Sequence, residues 1–373
     1  MNLNLIIPTT FGLESVAIEE CKKLGYPDLK AENGRIRLEG GIDDIVWCNL
    51  NLRTADRVLL EVGNFEAFSF DELFENIKNL PWHLYIPKNG EIHVTGKSIK
   101  SQLHSIPDCQ AITKKAIVSS LGEYYGINTL PEDGDYYKVE VKLSDNMVSV
   151  TIDTTGMGLN KRGYRKEGGI APLRETIAAG ICLLSDWKPD KPLLDPFCGS
   201  GTFLIEAALI GKNIAPGKLR SFSAEAWPWI PDKMWKNARD QIVENEKKVK
   251  LELIGMDWDP DIVKQATNNA ERAGVVDDIR FETAEFNPEK LDFHGTLITN
   301  PPYGERVGEI DDVEEIIYKL GQWQKNDSRT SFFILSPHPQ FEKIFGKKAN
   351  KNRKLFNGNI KCYLYSYKAK TKN

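Results

Sequence analysis

Thr296-Leu297-Ile298-Thr299-Asn300-Pro301-Pro302-Tyr303-Gly304-Glu305-Arg306 joins a short apolar, β-branched run to two consecutive prolines. The run reads as a buried strand, and it has to stop at Asn300 because neither proline can donate a ladder hydrogen bond. Prolines also restrict the residues before them to extended backbone, so Asn300 is held at the carboxyl end of that strand. In an open α/β sheet, this edge is where ligands bind.

The residue types at this edge suit one kind of chemistry. A planar exocyclic amine on a nucleobase is a poor nucleophile, because its lone pair is delocalised into the ring. An asparagine side-chain oxygen and a neighbouring backbone carbonyl can accept its two hydrogens and favour the pyramidal, nucleophilic form, while an aromatic ring stacks on the base. Asn300, the Pro301 carbonyl and Tyr303 supply these three elements, with Pro302 holding the turn. The plain alternative is a strand-terminating turn with a buried tyrosine, and the rest of the chain decides between the two.

A chain of 373 residues predicts two domains, and 41% hydrophobic with 27% charged residues is the composition of a globular protein. No apolar run approaches the roughly 18 to 20 residues needed to cross a bilayer. The start, Met1-Asn2-Leu3-Asn4-Leu5-Ile6-Ile7-Pro8, lacks the cationic and small-residue pattern of a signal peptide, so a cytoplasmic location is expected. Six cysteines and five histidines are scattered without metal-ligand spacing, which predicts no metal, haem or disulfide framework.

The net charge of −4 gives no case for a nucleic-acid partner, but its distribution does. From Lys343 to the carboxyl end there are ten lysines and arginines and no acidic residue. Lys161, Arg162, Arg165 and Lys166 surround Tyr164. This second cluster is read as an RNA or phosphate contact through Arg162, Tyr164 and Arg165, and Lys114 and Lys115 on a predicted helix are further RNA-binding candidates.

Residues 1 to about 155 alternate strand-like and helix-like segments and predict an α+β module with small antiparallel sheets. Gly156 to Gly169, rich in Gly, Lys and Arg, reads as a linker. Regular β-α units follow, predicting a mostly parallel α/β sheet. The chain closes with two β runs around Asn357-Gly358, which signal a terminal antiparallel hairpin.

Within the β-α units, Asp195-Pro196-Phe197-Cys198-Gly199-Ser200-Gly201-Thr202 lies between a strand and a helix. Gly199 and Gly201 let backbone approach a ligand, and the helix aims its amino end at it. A pyrophosphate would be repelled by Asp195, whereas an ammonium would be welcomed, so the loop suits S-adenosylmethionine better than a dinucleotide. Asp257, at the end of the next strand, is placed to hold a ribose diol. The spacing is long, with 62 residues between Asp195 and Asp257 against about 20 in the usual arrangement. Gly211 to Lys250, with Phe222, Trp227, Trp229 and Trp235, reads as an insertion packed by its own aromatics.

Taken together, these segments resemble the THUMP-domain RNA guanine-N2-methyltransferases, most closely the bacterial members that act on 23S ribosomal RNA. The resemblance covers essentially the whole chain. It runs through Pro8-Thr9-Thr10-Phe11-Gly12-Leu13-Glu14, Gly163-Tyr164-Arg165, Ala171-Pro172-Leu173-Arg174-Glu175-Thr176, the Asp195 loop and the Asn300 segment, in that order.

What the resemblance implies is a ferredoxin-like lead-in over 1–65, a THUMP RNA-binding domain over 66–155, a linker over 156–170 and a Rossmann-like class I methyltransferase domain over 171–373. Residues implied at the cofactor are Pro172, Thr176, Asp195, Phe197, Cys198, Gly199, Ser200, Gly201, Thr202, Asp257, Trp258 and Asn300, with Glu285 as the acid near the adenine ring. The expected reaction is methylation of guanine N2 in structured RNA, ribosomal first and transfer RNA second. An adenine N6 in DNA or a protein glutamine amide would be served by the same Asn-Pro-Pro-Tyr motif. An RNA-binding adaptor with a relic fold would have no reason to keep Asp195, Gly199, Gly201, Asp257 and Asn300.

Overall fold

The structure is a computed structural model and describes residues 2–27, 29–32, 34–165, 173–303 and 309–369. Pro172, Lys166 and Gly304 to Arg306, all singled out in the sequence, lie outside the described residues.

The amino-terminal half contains β1 (Leu3–Pro8), α1 (Glu14–Lys23), β2 (Lys30–Glu32), β3 (Arg35–Gly40), α2 (Ile42–Asn51), β4 (Leu59–Glu66), α3 (Phe70–Lys78), β5 (Glu91–Ile99), α4 (Ile106–Tyr125), β6 (Tyr136–Ser144) and β7 (Met147–Asp153). The expectation of small separate sheets is corrected. All seven strands form one sheet in the order β2-β3-β1-β4-β7-β6-β5, joined where β4 pairs antiparallel with β7. β5 and β6 run parallel, because α4 crosses between them. Ser105 and Pro107 begin that helix, and Gly126, at φ +64°, ends it in the left-handed conformation that glycine adopts without strain.

The catalytic half contains α5 (Glu175–Leu184), β8 (Leu193–Asp195), α6 (Thr202–Gly211), α7 (Asp232–Glu244), β9 (Leu253–Asp257), α8 (Pro260–Ala273), β10 (Ile279–Thr283), β11 (Thr296–Thr299), α9 (Glu309–Asn326), β12 (Ser331–Ser336), α10 (Phe341–Phe345), β13 (Lys351–Asn357) and β14 (Ile360–Tyr367). The sheet order is β10-β9-β8-β11-β12-β14-β13. β10, β9, β8, β11 and β12 are parallel, and β14 and β13 are antiparallel. Strand order reverses between β8 and β11, so the crevice outside their carboxyl ends is the topological switch point at which such folds hold ligands. Asp195 and Asn300 both lie on its rim.

The insertion does not pack by its aromatics alone. Phe222 stacks on Trp235 at 5.5 Å and Trp227 on Trp229 at 5.7 Å, as expected of a self-contained unit. Trp227 also stacks on Tyr137 of β6 at 4.9 Å, and Trp229 Nε1 donates to the Tyr85 carbonyl at 2.8 Å. These aromatics belong to the hydrophobic core of the amino-terminal half. The insertion is therefore a bracket that the catalytic half sends into the other domain.

Residues 156–165 are likewise not a solvated linker. Arg162 is 2% exposed and donates to the carbonyls of Leu159 and Arg53 and to Glu206 of α6. Tyr164 is 1% exposed and donates to the same Glu206 oxygen at 3.1 Å. A buried arginine needs this many acceptors, since each unpaired donor costs free energy comparable to a lost hydrogen bond.

Candidate active site

β8 delivers Asp195 to the switch point with only 2% of its surface exposed. Thr299, the last residue of β11, donates to Asp195 Oδ1 at 2.6 Å, and the Phe197 N–H donates to the same atom at 3.2 Å. Among the described residues, Asp195 Oδ2 takes no hydrogen bond. Burial pushes the carboxyl from its ordinary 3.8 up to about 7, opposed by the Thr299 and Phe197 bonds and reinforced by the nearby Asp257 charge. A buried carboxylate with one oxygen free is a ready partner for an ammonium.

The loop after β8 is tied down from three sides. The Cys198 N–H donates to the Met256 carbonyl of β9 at 2.8 Å. Asn269 Nδ2 of α8 donates to the Ser200 carbonyl at 3.0 Å. Arg165 donates to Thr202 Oγ1, at the first turn of α6. Gly199 has φ +51°, and a Cβ built there meets nothing within 4 Å, so the loop faces open space. Gly201 has φ +79° and packs against Phe281 and Ala266, where a Cβ would come within 3.1 to 3.2 Å. One glycine serves the ligand side and the other serves helix packing.

Asp257 links the two motif segments. Its Oδ2 accepts the Gly199 N–H at 3.1 Å and its Oδ1 accepts the Asp259 N–H at 3.2 Å. Asp259 is the cap of α8, accepting from the Asp261 N–H at 2.8 Å. That division of labour leaves Asp257 at the rim. Trp258, beside it, is 72% exposed and offers an open aromatic face. Phe197 packs on Phe286 at 5.0 Å. Glu285 is exposed two residues beyond β10, whose Thr283 pairs with Asp257. The donors, the open Gly199 cradle and the free Asp195 oxygen fit an amino-acid moiety and a nucleoside in one groove. Thr176 is fully buried on α5, with a hydroxyl that has no partner among the described residues.

Asn300 and Tyr303 meet, but not as the sequence implies. The Tyr303 hydroxyl donates to Asn300 Oδ1 at 2.6 Å and lies 3.5 Å from Cys362 Sγ of β14. Its ring is half-buried against the core. Burial and the neighbouring Cys362 hold its hydroxyl well above the ordinary tyrosine range, so it stays protonated and a donor. An amide oxygen has two lone pairs, so this bond leaves Asn300 one acceptor position and fixes which way the amide points.

The RNA-binding candidates fare unevenly. Arg162 and Tyr164 are corrected to internal positions, as burial keeps both from any macromolecular ligand. Arg165 is also turned inward, to the Leu173 carbonyl, Thr202 and Glu175. Lys114 is committed to Glu132 and to the Ile92 carbonyl at 2.6 Å. Lys115 is exposed over the Phe74 ring. Sequence reading passed over Thr299, Asn269 and Glu206, for which no local signal exists. It also missed a cleft of about 670 Å³ between the halves, lined by Arg35, Arg57, Lys97, Lys161 and Arg174 together with Asp56, Glu140 and Glu175, in which Arg35 and Lys97 pair with Glu140 and Arg57 with Asp153.

Residues 162–366 match the family described as RMKL-like, methyltransferase domain. The chain belongs to this family. Residues 4–59 match the RlmL ferredoxin-like domain, and 67–153 the THUMP domain. YpsC of Bacillus subtilis (strain 168), named as a candidate RNA methyltransferase, is 44% identical over 99% of this chain and 96% of its own. The ribosomal RNA large subunit methyltransferase K/L of Cellvibrio japonicus (strain Ueda107) is 33% identical over 96% of this chain. This chain spans about half the length of that relative, 50%. Among solved structures, SMU.472, a candidate methyltransferase complexed with SAH, superposes with a TM-score of 0.93 at 41% identity, covering 100% of this chain and 99% of its own.

Proposed function

We propose that the protein transfers a methyl group from S-adenosylmethionine to the exocyclic N2 amine of a guanosine in large-subunit ribosomal RNA. The observation that carries this reading is the shared rim of Asp195 and Asn300, cross-linked through Thr299. It joins a groove fit for an ammonium-bearing nucleoside to an amide oxygen fit for an amine. The THUMP match supports RNA over DNA or protein, and the K/L relative supports the ribosomal large subunit. The reaction belongs with RNA in the cytoplasm, and no described helix is long and apolar enough to cross a membrane.

S-adenosylmethionine supplies an activated methyl group. When it is bound, Asp195 would hold the ammonium of its amino-acid moiety and Asp257 its ribose, with Trp258 and Glu285 as the candidates for its adenine. The Gly199 to Thr202 loop lets backbone lie against the nucleoside. At the acceptor side, Asn300 Oδ1 and the Pro301 carbonyl take the two amine hydrogens and turn the nitrogen lone pair outward. Tyr303 bounds the base and, through its hydroxyl, keeps the Asn300 oxygen aimed. Transfer would form the C–N bond as the C–S bond breaks, leaving S-adenosylhomocysteine, and the alkylated nitrogen, now acidic, would give its extra proton to solvent water. Lys161 and Arg174, on the wall of the cleft between the halves, are the cations this reading offers to the RNA phosphates.

The test is mass-spectrometric mapping of ribosomal and transfer RNA from cells lacking the gene, paired with methyl-label transfer in vitro. Loss of one N2-methylguanosine from 23S RNA, restored by the wild-type gene and not by Asn300→Ala, is the expected outcome. Loss from transfer RNA would move the substrate. Label on adenine N6 of DNA or on protein glutamine would overturn the RNA reading.

A further inference from the structure

One cluster at the catalytic rim is used neither by the cofactor groove nor by Asn300. Phe11, in the loop between β1 and α1, is 56% exposed. Its ring meets Phe356 of β13 edge-on, with centroids 6.0 Å apart. Lys354 Nζ lies 5.5 Å from the Phe11 centroid and 5.1 Å from that of Phe356. Phe356 pairs across the hairpin with exposed Lys361, and the next residue, Cys362, which points to the opposite face of the strand, touches the Tyr303 hydroxyl.

The topology places this cluster at the active edge. β14 runs antiparallel to β12, with Tyr363 opposite Ser336, the last residue of β12. The turn between β13 and β14 therefore projects past the carboxyl ends of the parallel strands, on the side where Asn300 and Tyr303 leave the sheet.

The cluster is also locked. Gly12 has φ +90°, and a Cβ there would fall 2.3 Å from the Lys354 carbonyl oxygen, so only glycine lets the loop lie on the strand. Arg353 Nη1 donates to the Gly12 carbonyl at 2.7 Å and to Ser15 Oγ at 3.1 Å. Glu14 accepts the Gly12 N–H at 2.8 Å. The fold thus spends a glycine and three hydrogen bonds on presenting an apolar ring to water next to an ammonium group.

An aromatic face beside a cation, a few residues from a site that handles a base, matches one ligand chemistry. A nucleotide offers a flat base to the ring and a phosphate to the ammonium. The charge agrees, because no acidic residue follows Glu342 in the chain. We propose that Phe11, Phe356 and Lys354 form a platform for an unpaired nucleotide next to the target guanosine, its base stacked on Phe11 and its phosphate held by Lys354 and Lys361. The proposal rests on the RNA reading above and adds the contact that sets the strand beside the site.

The test uses the full chain and 23S RNA stripped of protein from cells lacking the gene. Phe11→Ala should raise KM for that RNA about 5- to 150-fold, the range of one lost base stack. S-adenosylhomocysteine affinity and Tm should be unchanged. Phe11→Tyr keeps the flat face and should restore KM, whereas Phe11→Leu keeps the contact with Phe356 and should not. Lys354→Ala should reduce the slope of log affinity against log salt by about 0.7. A Phe11→Ala enzyme with wild-type KM, or rescue by leucine as good as by tyrosine, would overturn the platform while leaving the methyltransferase reading intact. If the wild-type chain neither binds nor methylates any RNA, the RNA reading falls and takes this proposal with it.

Discussion

If Asp195 holds the ligand's ammonium, affinity must depend on pH in a direction the structure dictates. With its carboxyl raised to about 7 in the empty fold, Asp195 is largely protonated at pH 6, and the ligand requires it ionised. Apparent affinity for S-adenosylhomocysteine should then weaken about tenfold for each unit below pH 7, close to 100-fold at pH 5. The ligand's amino-acid ammonium titrates above this window and stays charged throughout it, so the slope belongs to the protein.

Calorimetry at pH 6 in two buffers of different ionisation enthalpy should register about 0.9 proton released per ligand bound. Asp195→Asn keeps the acceptor for the Thr299 hydroxyl and should bind weakly but with no such slope. The same shift acts on the empty protein. Folded Asp195 binds a proton between about pH 4 and 7 that the unfolded chain has given up, so stability falls as pH rises through that window, by up to about 4 kcal/mol. Ligand-induced stabilisation should accordingly be larger at pH 7 than at pH 5.5. A flat affinity profile, or an equal slope in Asp195→Asn, would refute the assignment of Asp195 to the ammonium.

Other expectations follow from the same geometry. Asp257→Ala should cost roughly 1.5 to 3 kcal/mol in cofactor affinity by isothermal titration and should also lower Tm, because the bonds from the Gly199 and Asp259 N–H groups go with the carboxylate; unaltered affinity would take Asp257 out of the site. Asn300→Ala should lower the single-turnover rate while leaving S-adenosylhomocysteine binding intact. Tyr303→Phe, losing only the bond that aims Asn300, should slow that rate by about 1 kcal/mol, some fivefold. Tyr303→Ala should lose more and raise KM for RNA, and equal damage in both variants would show that the ring face is not what the base uses. Arg162→Ala leaves Glu206 buried without its cation and should lower stability by about 3 to 5 kcal/mol in denaturant titrations. Were stability unchanged and RNA affinity lost, the internal assignment of Arg162 would be wrong. A fragment beginning at 156 uncovers Trp227, Trp229 and Trp235, so it should aggregate in sedimentation runs rather than fold as an independent catalytic domain.

Local sequence was enough for the features that a strand end, a cap or a turn controls. Pro301 and Pro302 stop β11, Asp259 and Gly274 bound α8, and the last hairpin turns at Gly358-Asn359, one residue on from the Asn357-Gly358 signal because Asn357 stays in β13 opposite Ile360, each through backbone restrictions carried by a few neighbouring residues. The paired strand-end acids and the two loop glycines were legible for the same reason. Tertiary structure decided whatever depends on a partner far along the chain. Arg162 and Tyr164 look like a surface cluster until Glu206 on α6 buries them, and the insertion's tryptophans look self-sufficient until Tyr85 and Tyr137 claim them. Asp195 is an acid in any reading of the chain. Its elevated carboxyl exists only because β8 is central in the sheet and buries it, an effect that Thr299 of β11 opposes by its hydrogen bond, since desolvation is a property of the surroundings rather than of the residue. Phe11, part of the Pro8 to Glu14 segment that carries the resemblance, stays open because Gly12 and Arg353 pin its loop over the edge of β13.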